Sequence, residues 1–183
     1  MAQIKNLAPF ILKWEGGFSN HPNDIGGATM HGVTLATYQS YRKLIGLPVP
    51  TIDDLKNITD DEWLNILRKM YWNTWKADMI ASQEIANILV DWAWGSGSVN
   101  SIRQFQLSSK GSLVVDGIVG EKTLGYINSY QPEDLFNRIW SVRKTYLVNI
   151  VKNDHSQSVF LDGWLNRLFD MFTYNFTLTQ KWT

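Results

Sequence analysis

A chain of 183 residues, 44% apolar and 19% charged, can bury a core without disulfides and has the composition of an ordinary globular protein. Seventeen basic residues balance seventeen acidic ones, so no global field draws it onto nucleic acid or an anionic surface. The absence of cysteine excludes a disulfide scaffold, a cysteine metal site and a thiol nucleophile.

The first segment lacks the charged start and unbroken apolar core of a signal peptide, and no apolar run approaches the ~20 residues of a membrane span. Synthesis in the cytoplasm is therefore expected, with a separate export route for any action outside. Ile4, Leu7, Ala8, Ile11 and Leu12 form a helical stripe that Pro9 either delays or kinks. The stripe runs into Glu15, and the chain then becomes a loop dense in Gly, Asn and Asp that has room for a small β-turn or hairpin.

Thr34 has the chemistry of an N-cap for a helix carrying Leu35, Tyr38 and Ile45, closed by Gly46 and followed by Pro48. Thr59-Asp-Asp-Glu62 reads as a capping box ahead of Trp63, Ile66, Leu67 and Met70. Ser82 caps a helix with Ile85, Ile88, Leu89 and Trp92 on one face, stopped at Gly95-Ser-Gly97, and a shorter helix follows through Val99, Ile102 and Phe105. From Gly111 to Leu124 two glycine turns lead into a short helix. Gln131-Pro132 opens the longest expected helix, with Leu135, Ile139, Val142, Tyr146 and Ile150, and its partner carries Leu161, Trp164, Leu165, Leu168 and Phe172. The expected fold is mainly α.

The chemistry concentrates between Trp14 and Thr34. A carboxylate at the end of a stiff element, beside Gly16-Gly17, is held firmly yet open to a large ligand. Glu15, Asp24 and Thr29 together offer a proton donor, a group that directs water and a hydroxyl to hold it, which is what glycosidic cleavage needs. A separation of about 6.5–9.5 Å between the two carboxylates implies inversion, and about 5–5.5 Å implies retention. The plainer readings are a surface glutamate at a helix end, an Asx turn at Asp24 and a loop-capping Thr29. His21 and His31, ten residues apart, lack a recognised metal-ligand spacing, so neither a metal nor a cofactor is expected. Nine tryptophans are mostly core at helical spacing, with one or two left for stacking on a ligand.

Glu15-Gly-Gly-Phe18, Asn20-His-Pro-Asn-Asp24, Gly26-Gly-Ala-Thr29 and Gly32-Val-Thr34 together resemble the signature of glycoside hydrolase family 108, the N-acetylmuramidases found among phage endolysins. The resemblance continues at Asp91-Trp-Ala-Trp-Gly-Ser-Gly97, Asp116-Gly-Ile-Val-Gly-Glu-Lys-Thr123 and Gly163-Trp-Leu-Asn-Arg167. It implies a lysozyme-like helical fold and a catalytic acid at Glu15. It also implies a muramidase region over 1–95 and a helical peptidoglycan-binding region over 96–183, packed as one unit. Phage lysozymes of another family also place an Asp nine residues after the catalytic Glu, as Asp24 follows Glu15, but Thr29 here comes one residue sooner than in that pattern. Asp91, where the family keeps an acid, and Trp92 and Trp94 are the candidate sugar contacts, with Trp94 standing where the family has Asn.

The implied partner is the glycan strand of peptidoglycan, reached by a monomer through a holin or another release route and cut in the wall. Two alternatives stand beside phage lysis: a non-catalytic wall-binding protein, and a muramidase dedicated to toxin or effector secretion.

Overall fold

The computed structural model describes residues 1–20 and 27–179. A 3₁₀ turn over Ile4–Asn6 leads into α1 (Ala8–Trp14), where Pro9 occupies the first turn. Nothing is lost there, because the N–H that proline lacks would have no partner within the helix. Leu7, Phe10 and Ile11 carry the buried face, while Leu12, expected on it, is 40% exposed.

The early loop closes with a hairpin of β1 (Thr29–Met30) and β2 (Val33–Thr34), paired Thr29 to Thr34 and Met30 to Val33. Its two-residue turn places both His31 (φ 47°) and Gly32 (φ 76°) in the left-handed region, the backbone that matches the twist of a tight hairpin. Thr34 then caps α2 (Leu35–Leu44) by accepting from the Thr37 amide.

A short helix absent from the sequence reading, α3 (Ile52–Lys56), begins with a reciprocal capping box between Thr51 and Asp54. The box expected at Thr59–Glu62 is only half formed. Thr59 caps α4 (Asp60–Ile66), but the Glu62 carboxylate turns away to accept from the Tyr38 hydroxyl and from Arg42, each at 3.0 Å. Two tertiary partners, one of them a guanidinium, hold that carboxylate more strongly than the single cap N–H it gives up. Burial, reinforced by the bond to Glu62, pushes the Tyr38 phenol up to about 12. A π-helical stretch continues α4 through Leu67–Trp72, and a 3₁₀ turn follows at Ala77–Met79.

At the centre lies α5 (Gln83–Ser96), capped by Ser82 and buried at every position from Glu84 to Ala93. Around it run α6 (Ser98–Ser108), α7 (Glu121–Ser129), α8 (Pro132–Asn153) and α9 (Ser158–Thr179). Glycine turns at Gly111 and Gly117 lie between α6 and α7. Helices α6, α8 and α9 all pack on α5, α9 also packs on α8 and α1, and α8 and α9 both span 22 residues. The mainly α, lysozyme-like fold with one small early hairpin is what the structure shows. No helix among the described residues is long and apolar enough to cross a membrane.

Candidate active site

The last residues of α1 are fastened from the far end of the chain. Lys13 Nζ and Trp14 Nε1 both donate to Asp170 of α9, each at 2.7 Å. Glu15 follows at once in an extended conformation (φ −96°, ψ 135°), so its side chain leaves the helix axis and enters a cavity of about 330 Å³. A carboxylate at a helix C-terminus opposes the dipole, and the structure answers this with donors. Oε1 accepts from Trp94 Nε1 at 2.8 Å and from an Arg167 Nη at 2.6 Å. The Glu15 side chain keeps 16% of its surface exposed.

Behind Glu15 lies a chain of buried charges. Arg167 donates through Nε (3.1 Å) and its other Nη (2.7 Å) to one oxygen of Asp91. The second Asp91 oxygen stands 2.7 Å from an Arg143 Nη, an ion pair without hydrogen-bond alignment. Asp91 is wholly buried and Arg143 nearly so. Burial pushes the Asp91 carboxyl up, but the two guanidinia outweigh it and hold it below the usual carboxylate range. Burial also lowers Arg143, whereas its carboxylate neighbours keep Arg167 firmly cationic. Two carboxylates thus face two guanidinia, and each guanidinium touches Asp91.

The opposite wall is the hairpin turn. A Cβ built on Gly32 would stand 2.5 Å from both Cδ and Oε2 of Glu15, so the carboxylate occupies space that only glycine leaves. Trp63 of α4 fixes this turn by donating from Nε1 to the His31 carbonyl at 2.9 Å. Its ring lies 5.5 Å from that of Trp94, which is in turn 4.9 Å from Tyr71, so one aromatic cluster backs both the turn and the glutamate.

The site residues expected from sequence fall in different places. Glu15 and Trp94 come together, and Trp94 holds the glutamate directly. Asp91 is one side chain removed from Glu15 through Arg167, and it presents no surface to a ligand. Trp92 is likewise fully buried, packed on Tyr146 at 5.7 Å, so it offers no face for stacking. Thr29 begins the hairpin, exchanging backbone hydrogen bonds with Ser19, and its hydroxyl donates to the Gly27 carbonyl at 3.3 Å. Asp24 lies outside the described residues.

Gly32 and Arg167 fall in stretches that carry the family resemblance but have no role assigned from sequence, and Arg143 is not singled out there at all. Two signals for them existed. Arg143 interrupts the buried stripe of α8 between Ile139 and Leu147, and Asp91 interrupts the apolar run of α5 between Ile88 and Ala93. A charge in either position requires a partner.

Residues 8–97 match the family described as Glycosyl hydrolase 108, and residues 100–169 match the Predicted Peptidoglycan domain. Among solved structures the chain is similar to Brucella abortus SagA, with 25% identity, a TM-score of 0.80, and coverage of 98% of this chain and 97% of that one. No curated protein matches it. With both matches seated on a mainly α fold and on the cavity that holds Glu15, residues 8–97 belong to glycosyl hydrolase family 108 and are followed by a peptidoglycan-binding region over residues 100–169.

Proposed function

We propose that the protein is a muramidase that cuts the β-1,4 bond between N-acetylmuramic acid and N-acetylglucosamine, with Glu15 as general acid. The observation that carries this reading is the asymmetric hold on one carboxylate. Oε1 is engaged by Trp94 and Arg167, while Oε2 lies against the bare backbone of Gly32. Oε2 is then the oxygen that delivers the proton to the leaving sugar. As the proton departs, negative charge develops on Glu15, and the donors on Oε1 are already aimed at it. Stabilisation already oriented for the product of proton transfer lowers the barrier to that transfer. Asp91 balances the Arg167 charge, so the guanidinium steadies Glu15 without standing as a lone cation beside the acid.

Asp24 is proposed as the ionised partner that directs water or steadies the oxocarbenium-like transition state, and Thr29 as a ligand of that water. Residues 1–95 would supply the acid and 96–183 the grip on the wall, with the two arginines of the second region completing the site of the first. The protein would act on the wall after release from the cytoplasm.

The test is turbidity loss of purified sacculi with wild type and Glu15→Gln, followed by mass analysis of the released fragments. Reducing muramic acid ends are expected from wild type, with at least a hundredfold slower release from the variant, whose melting temperature should match wild type within a few degrees. Equal release from both proteins overturns the assignment of Glu15.

A further inference from the structure

Larger than the cavity that holds Glu15 is a groove of about 620 Å³ between α6 and α8, within the size range of ligand clefts. Leu107, Val142, Tyr146 and Ile150 supply its apolar surface, and Gln104, Thr145 and Asn149 are among its polar groups. None of its lining residues is charged. Tyr146 and Ile150 also line the Glu15 cavity, so the two hollows share a wall. Tyr146 is fixed there, its ring against Trp92 and its hydroxyl accepting from Asn100 at 2.7 Å.

We propose that this groove is a second binding site, for the N-acetylated sugars of the glycan strand that extends away from the scissile bond. The proposal rests on the muramidase reading for its substrate, while its location rests on the groove. A pyranose offers apolar C–H faces, hydroxyls and an acetamide, all uncharged. An apolar surface flanked by amides, which both donate and accept, is their complement. The Thr145 hydroxyl is committed as donor to the Ser141 carbonyl, so its oxygen faces ligands as an acceptor. The stem peptides of the wall carry carboxylates and amines, and desolvating these in a groove without charge is costly. The chemistry therefore favours the sugar backbone over the peptide. The shared wall at Tyr146 and Ile150 makes the groove an extension of the site rather than an isolated patch.

The experiment uses the full chain carrying Glu15→Gln, so that ligands are bound without being cut. Peptide-free glycan strands, prepared by amidase treatment of sacculi, are titrated calorimetrically against this protein and against the same protein with Thr145→Trp or Asn149→Ala. Both positions are exposed, so both variants should fold, and circular dichroism checks this. About tenfold weaker binding is expected for Thr145→Trp, which fills the groove, with a smaller loss for Asn149→Ala. Unchanged affinity in both variants overturns the proposal. So does binding of isolated stem peptide that Thr145→Trp abolishes while leaving glycan binding intact. Failure of the muramidase reading shows separately, as absence of muramic acid ends in the lysis assay, whereas the titration reports on the groove alone.

Discussion

A single methyl group is a sharp test of the Glu15 environment. At Gly32 it would lie 2.5 Å from the Glu15 carboxylate, on a backbone whose φ of 76° already disfavours any side chain. Either the turn shifts or the carboxylate does, and in both cases Oε2 loses its position. Gly32→Ala should lower the rate of sacculus clearing about a hundredfold, since displacement by an ångström carries that scale of penalty. The backbone strain should remove about 1–3 kcal/mol of stability, read by urea titration. A variant that loses stability but clears sacculi at the wild-type rate would show that the turn does not position the acid. Glu15 is legible in sequence as a candidate because a carboxylate beside two glycines is conspicuous. The close approach at Gly32 is not, because glycines mark turns far more often than they mark close approaches.

Among the elements, α4 shows how far local patterns can be trusted. Thr59 caps it as the sequence implies, so Thr59→Ala should cost about 1 kcal/mol. For a chain of this length that is a fall of about 2–4 °C in thermal midpoint, measurable by calorimetry. Glu62 was misread because a capping box is defined within four residues, whereas Tyr38 and Arg42 reach it from another helix. Starts with a polar cap and an apolar stripe, such as those of α2 and α5, were legible from a single window. Five-residue α3 was not, since it is too short to show a period, although Thr51 and Asp54 carry its signature. Leu12 is exposed and Phe10 buried for a related reason: late entry at Ala8 sets which face of α1 turns inward, whereas the stripe in the sequence counts from Ile4.

Taken as a whole, the molecule is tied together at Asp91, where α5 meets both α8 and α9 through Arg143 and Arg167. Asp91→Asn removes the charge but not the bulk, leaving Arg143 buried without its counterion. A loss of about 3–5 kcal/mol is expected, the usual result of breaking a buried pair from one side. The pH dependence follows from the same pair. Its folded pKa lies below the ordinary value, so its stabilisation is complete above about pH 4 and is lost as pH falls through the folded pKa. The thermal midpoint of wild type should therefore drop as pH falls below about 4, and that of Asp91→Asn should change less over the same range. Parallel curves would mean that Asp91 is not held ionised. This tie escaped sequence reading because its members lie as far as 76 positions apart, and no local window contains two of them on different helices.

Glu15 and the guanidinium that steadies it are separated by 152 residues, nearly the length of the chain. During translation the glutamate is made among the first residues and must wait for α9 before it meets Arg167, while Trp14 and Lys13 wait for Asp170 on the same helix. Contacts between distant positions form last, because the intervening chain has to be closed before they stabilise anything. The surroundings of Glu15 are thus completed only once α9 has emerged. Under the role proposed for Glu15, a nascent chain that has not reached Asp170 carries the carboxylate without the guanidinium and the anchor that hold it, and is expected to be inert in the cell that makes it.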